Sequence, residues 1–258
     1  MSSVWEATLA NLKHGSVNTP LSTTGTGTKL NDIESTLSGV DCPVCHNTGY
    51  ITHFDNDGCL WSRECKCMEV RRSLKHIRDS KLGDLVEQYT LAGYQTPDAD
   101  TEVVKQKADD YISDDSERKK WFFICGKPGT GKTHICVGIC SALINKGMSV
   151  RYMLWRDDAR KLKSVVNKQE EYDDIMQPFK DCAVLYIDDF LKGTVTDADI
   201  NVAFELLNYR YNQNKRTIIS TERTGAEIAR YDNALGSRII QRAGEFYTMA
   251  PLTNWRLK

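Results

Sequence analysis

The sequence predicts an α/β protein built on a parallel sheet, preceded by a small module held by cysteines. Three observations carry that prediction. The stretch Gly126-Lys-Pro-Gly-Thr-Gly-Lys-Thr133 follows an apolar run over 121–124 and leads into a helix-patterned segment at 135–139. Beyond it, short apolar runs alternate with helical patterns, which requires crossover connections between parallel strands. Upstream, Cys42, Cys45, Cys65 and Cys67 fall in two close pairs.

Taken in order, residues 1–38 open with Val4, Trp5, Leu9 and Leu12 at helical spacing and pass into a Ser/Thr/Gly-rich stretch. Such composition buries too little apolar area to order itself, so a flexible linker is expected, preceded by a helix that is either a docking element or a frayed terminus. Residues 39–90 form the cysteine module and a basic amphipathic segment, with Val70, Leu74 and Ile77 on one face and Arg71, Arg72, Lys75 and Arg78 on the others. Residues 91–258 make the nucleotide-binding domain, entered through a polar helix over 101–111. Strands are expected at 121–124, 150–155, 183–187 and 216–220. Helices are expected after Thr133 and at 157–166, 197–212, 225–230 and 236–242.

Composition removes several classes. The 34 Lys and Arg balance 35 Asp and Glu, so no global positive field attracts nucleic acid, and any such contact comes from local patches. No apolar run approaches the roughly 20 residues that cross a bilayer, and the N-terminus lacks a signal pattern, so a cytoplasmic protein with no membrane partner is expected. Nine cysteines could suggest disulfides. Their pairing beside an intracellular type of nucleotide motif favours metal instead.

The glycine stretch has the composition of a phosphate cradle. Glycines let backbone N–H groups turn onto phosphate oxygens, Lys132 brings a cation to the β and γ phosphates, and Thr133 offers its hydroxyl to Mg²⁺. Gly126, Lys127, Pro128, Gly129, Thr130, Gly131 and His134 complete the candidate ATP or ADP contacts. A second acidic motif ends an apolar strand at Asp188-Asp189, where Asp188 would hold Mg²⁺ and Asp189 would polarise the attacking water. Arg238 and Arg256 are the candidate arginines for the charge that develops as the γ phosphate leaves, each of which is otherwise an ordinary surface arginine. Arg156, Arg160, Lys161 and Lys163, beside Trp155, form a basic helix face that either contacts DNA or is simply solvated.

Cys42, Cys45, Cys65 and Cys67 supply the four thiolates of a closed zinc site, with Cys59, His46 and His53 as competing ligands. Cys125, Cys136, Cys140 and Cys182 lie in apolar patterns and read as small core residues.

The order of these parts resembles a known group. Cys-Pro-Val-Cys with a following Thr-Gly-Tyr, Glu-Cys-Lys-Cys, a basic segment, the phosphate loop, Tyr-Ile-Asp-Asp-Phe, Thr-Ile-Ile-Ser-Thr and Gly-Ser-Arg-Ile are similar to the DnaC-type replicative helicase loaders, particularly their zinc-bearing, phage-borne branch. The resemblance covers residues 42–258. It implies an AAA+ ATPase core, ATP hydrolysis as a weak switch, a hexameric replicative helicase gripped by the zinc module, single-stranded DNA as second partner, and self-association through the AAA+ domain. It also implies Arg238 as an arginine finger acting on a neighbouring subunit and Arg256 as the second sensor. The first sensor is expected within 220–222, with Thr221 in the polar role. Two alternatives share the motifs: an IstB-like transposition ATPase, which usually lacks the cysteine module, and a nucleotide-binding adaptor without catalysis.

Overall fold

The computed structural model describes residues 42–54, 58–69, 71–72, 83–116, 120–146, 148–252 and 254–255. The N-terminal helix and linker expected in 1–38, Arg256, and Val70, Leu74, Lys75, Ile77 and Arg78 of the basic segment lie outside the described residues.

The first described unit is a hairpin, β1 (Tyr50–Phe54) paired antiparallel with β2 (Leu60–Glu64). After a short helix, α1 (Gly83–Gln88), comes α2 (Ala99–Ser113), begun by a reciprocal cap in which Asp98 accepts from the Thr101 amide. The remainder is β3 (Trp121–Cys125), α3 (Lys132–Asn145), β4 (Val150–Leu154), α4 (Trp155–Ser164), α5 (Gln169–Asp181), β5 (Val184–Phe190), α6 (Asp197–Asn212), β6 (Arg216–Thr221), α7 (Gly225–Tyr231), α8 (Asn233–Ala243) and β7 (Tyr247–Met249), which follows the predicted alternation except at α5 and β7.

Five strands form one parallel sheet in the order β4-β5-β6-β3-β7. Strand alternation divides its side chains between two cores. Phe122 and Ile124 face α2 and α3, together with Tyr111, Ile135 and Ile139. Trp121, Phe123 and Cys125 face the opposite layer, with Trp155, Phe190, Leu206 and Ile239. Because helices cover both faces, all of β3 is buried, which explains its unbroken apolar sequence.

Four features depart from the sequence reading. Trp155 starts α4 rather than ending the strand, because Asp158 reaches back to accept from the Leu154 amide at 3.0 Å and opens the helix there. Helix α5 was not expected, and β7 is a three-residue edge strand too short to leave a pattern. Residues 83–90, grouped by sequence with the cysteine module, instead pack on the core: Val86 is buried there and Leu85 and Tyr89 lie against it. Arg210 is fully buried and pins the missed helix. It donates to the Phe179, Lys180 and Cys182 carbonyls at 2.9, 3.1 and 3.0 Å and to Thr217 Oγ1 at 3.0 Å, satisfying the C-terminal end of α5.

Candidate functional site

The phosphate loop is shaped by its glycines. Gly129 and Gly131 sit at φ 79° and 83°, where a side chain is strained, and a Cβ on Gly129 would lie 2.2 Å from Asn254 Oδ1. The loop's origin is tied to β6 by the Gly126 amide, which donates to the Thr221 carbonyl at 3.1 Å. Thr130 is buried, and its hydroxyl closes the loop on the Lys127 carbonyl at 2.8 Å. Helix α3 begins directly at Lys132, so its free N–H groups face the loop's concave side.

Lys132 is buried, and its ammonium donates to the Gly126 and Lys127 carbonyls at 2.7 Å each. Burial pulls its pKa below the ordinary lysine value, against the opposing pull of Glu222 and Asp189. A buried cation satisfied only by neutral carbonyls suits an anion beside it, so the loop fits a phosphate.

Asp188 occupies the position from which a metal would be held. It is buried at the C-terminal end of β5, with Thr133 Oγ1 at 3.5 Å and the Tyr152 hydroxyl at 3.2 Å. The Ser220 hydroxyl and the Asp189 amide, the latter at 3.1 Å, also donate to it. Burial, then the Asp188 charge, raises the Tyr152 pKa, so that phenol stays a donor. A carboxylate and a hydroxyl facing each other are the oxygen donors Mg²⁺ takes.

A cavity of about 470 Å³ opens beside this cluster, lined by Gly129, Gly131, Lys132, Thr133, Asp189 and Lys192 among others. Its other wall is aromatic. His134 stacks on Tyr89 with ring centres 4.8 Å apart, meets Tyr94 edge-on, and its Nε2 lies 2.9 Å from the Thr90 carbonyl. Trp255 completes the wall, its amide donating to the Gly129 carbonyl at 2.8 Å. Sequence reasoning missed Tyr89, Tyr94 and Trp255, since nothing local marks a residue that reaches the loop only through the fold.

The expected site residues fall into three groups. The loop residues 126–133, Asp188 and Asp189 converge. Thr221 does not: its hydroxyl donates to the Phe190 carbonyl at 2.7 Å and accepts from the Arg223 amide at 3.1 Å. Ser220, on the other face of β6, makes the contact to Asp188 instead. Arg238 stands outside the cavity, its guanidinium over Phe204 and Tyr211 at 5.2 and 5.6 Å and bonded to the Ala234 carbonyl at 3.1 Å.

The basic helix face is largely neutralised within the chain. Arg160 pairs with Asp157 at 3.0 Å and Lys161 with Asp158 at 3.1 Å, both one turn away. Lys163 crosses to Asp199 on α6 at 2.5 Å and so joins two helices. Arg156 is exposed.

Sulfur atoms of Cys42, Cys45, Cys65 and Cys67 lie within 4.8 Å of one another and are buried. Cys59, His46 and His53 are exposed and outside this group. Left-handed turns at His46 and Asn47 (φ 47° and 65°) fold the first pair into a knuckle, closed by the Cys42 amide on Asn47 Oδ1 at 2.8 Å. The Cys65 amide joins the second pair to the Gly49 carbonyl at 2.8 Å. Burial raises the Cys45 thiol, but the Gly49 backbone and the neighbouring thiols outweigh it and bring it down to about 7. Burial pushes Cys67 up. Four soft donors at this separation fit one zinc ion. Cys125, Cys136 and Cys140 are buried in the sheet layers, as expected.

Fold and site together define an AAA+-type ATP-binding domain: a parallel sheet in which β3 feeds a phosphate loop, β6 beside it carries the Ser220 hydroxyl, and β5 beyond that carries the acidic pair. The chain belongs to the IstB-like ATP binding protein family, whose model matches residues 48–243. Protein YqaM of Bacillus subtilis is 29% identical over 72% of this chain, and the chain spans 62% of that relative's length. The phage-like element PBSX protein XkdC of the same organism is 28% identical over 83% of each chain. The replicative helicase loader DnaC of Escherichia coli is 22% identical over 75% of this chain and 77% of its own. A crystal structure of DnaI superposes with a TM-score of 0.56 over 67% of this chain and 93% of that one at 16% identity, which shows a shared fold.

Proposed function

We propose that this protein is an ATP-controlled loader that binds a hexameric replicative DNA helicase through its cysteine module and delivers it onto single-stranded DNA. The observation that carries the reading is the joining of two parts on one chain. One is a phosphate site with Lys132, Thr133, Asp188 and Asp189 converging, and the other is a zinc-type hairpin that exposes Val44, Tyr50, Phe54, Leu60 and Trp61. Aromatic groups left in water on so small a module mark a surface for another protein. Similarity to a protein named as a replicative helicase loader supports that partner.

Hydrolysis would run as follows. Asp189 takes a proton from water while the water oxygen attacks the γ phosphorus. The bond to the bridging oxygen breaks and ADP leaves with its electron pair. Lys132 and the α3 amides stabilise the phosphate oxygens. Mg²⁺, held by Thr133 and Asp188, supplies charge neutralisation when bound. Arg238 would serve a neighbouring subunit's nucleotide, since it lies outside its own cavity, and Ser220 would relay the state of Asp188 to β6. The short Asp189 side chain, which sets its carboxylate back from the attacking water, suits slow turnover.

A second reading is an IstB-like ATPase acting in DNA transposition, which the match to the IstB-like ATP binding family and the similarity to a protein named as a putative insertion sequence ATP-binding protein support. The test is a pull-down of the full chain, with ATP, against purified host replicative helicase, alongside ATP turnover with single-stranded DNA. Binding that is lost in a Phe54→Ser, Trp61→Ser variant, with turnover lost in Lys132→Ala, supports the loader. Turnover without helicase binding supports transposition. Helicase binding with no turnover, unaffected by Lys132→Ala, makes the protein a non-catalytic adaptor.

A further inference from the structure

We propose that Lys192 is the group by which this site distinguishes a nucleoside triphosphate from a diphosphate. It rests on Asp189 and Glu222 until a γ phosphate draws it away, leaving Asp189 free for water. The inference builds on the ATPase reading above.

The loop after β5 is constructed to place this lysine. Asp189 and Leu191 both adopt left-handed backbone, φ 53° and 52°, which non-glycine residues rarely do, and Gly193 follows at φ 87°. Such a turn persists only when its surroundings hold it, and here they do. The Lys192 amide donates to the Asp189 carbonyl at 3.1 Å. From β6, Thr221 holds the Phe190 carbonyl, while Arg223 donates to the Leu191 and Gly193 carbonyls at 3.0 and 2.6 Å.

The turn returns the Lys192 ammonium onto Asp189 at 3.0 and 3.1 Å and onto Glu222 at 3.2 Å. All three residues line the same cavity as Lys132 and Thr133. A solvated surface pair would not need a pinned reverse turn, nor a second carboxylate from just past the end of β6. Two carboxylates bordering a phosphate site repel the incoming anion, and one lysine between them neutralises only part of their charge. Its side chain is 39% exposed, and its four-carbon stem lets the ammonium move as a point charge. A diphosphate adds no charge at the γ position, whereas a triphosphate presents an anion that competes for the ammonium.

The test is calorimetric titration of the full chain, with Mg²⁺, using ADP and the non-hydrolysable analogue AMPPNP. In Lys192→Met the AMPPNP affinity should fall about tenfold while ADP affinity stays within about twofold, a difference near 1.4 kcal/mol. Lys192→Arg should recover most of the discrimination, and Glu222→Gln, which loosens the restraint, should tighten AMPPNP alone. Equal losses for both ligands in Lys192→Met, or none, would overturn the role of Lys192. If the unaltered protein binds neither nucleotide, the nucleotide-site reading fails instead. Retained ADP binding certifies that a variant is folded, and should Lys192→Met not fold, an unchanged AMPPNP affinity in Glu222→Gln overturns the proposal.

Discussion

The ATPase domain and the cysteine hairpin solve the same problem of holding a β-structure together in opposite ways. In the domain, β3 is entirely buried between two helical layers, and that packing together with its ladders to β6 and β7 fixes it. In the hairpin, both strands are exposed along nearly their whole length, and the described residues buried there are the four cysteines and Gly49. A two-stranded hairpin is at best marginal in water, so the sulfur cluster stands in for a core. With the cysteines taking the buried positions, Tyr50, Phe54 and Trp61 of the hairpin face outward, whereas in the domain Tyr231 is exposed and Trp121, Phe122, Phe123, Tyr186 and Phe190 are buried.

Removing the sulfur ligands should therefore give the largest and most local effect. Cys42→Ser with Cys45→Ser should abolish one equivalent of zinc by elemental analysis and open residues 42–72 to protease while the domain stays resistant. Structural zinc contributes on the order of 10–16 kcal/mol to such modules. A hairpin still protected would break the comparison outright.

Next in size is the domain's own buried cation. Arg210→Leu leaves carbonyls of 179, 180 and 182 without their donor, and urea unfolding should show a loss of about 3–5 kcal/mol with zinc content unchanged. A smaller effect is expected at the seam between α4 and α6. Lys163→Ala should cost about 1 kcal/mol, whereas Arg156→Ala should cost nothing measurable. Burial raises the Asp199 pKa, but Lys163 and Thr196 outweigh it and hold it below the ordinary carboxylate value. The stability it contributes is present above its unfolded pKa and is lost as pH falls through the folded one. Lys163→Ala should flatten that acid-side decline.

A comparably small stability change belongs to the hairpin surface. Phe54 and Trp61 are 59% and 58% exposed, so replacing either with serine should alter unfolding by under about 0.5 kcal/mol. Sizeable destabilisation would mean that these rings pack and are not presented.

Legibility in the sequence follows the same division. The phosphate loop and Asp188-Asp189 were readable because each is contiguous, and the four cysteines because metal spacing is local. The position of Ser220 was legible in principle, since Ile218 and Ser220 share one face of β6 and Thr217, Ile219 and Thr221 the other. What obscured it is the irregular register between Ile187 and Phe190, where β5 shifts against β6 just at the acidic pair. Helix α5 did carry a signal, with Tyr172, Met176 and Phe179 buried at helical spacing beside Ile175, but five acidic residues and Pro178 masked it. The partner of Lys163 and the neighbours of Gly129 come from distant chain segments, and no local pattern encodes them.

The contact between Trp255 and the phosphate loop makes the protein its own optical instrument. An indole whose Nε1 and Cδ1 lie 3.7 Å from where a side chain on Gly131 would begin sits beside the surface that nucleotide would touch. Among the described tryptophans, Trp121 and Trp155 are sealed in the sheet layer and Trp61 stands on the hairpin. Fluorescence quenching on addition of ADP would then report the loop's occupancy in real time, with no dye attached.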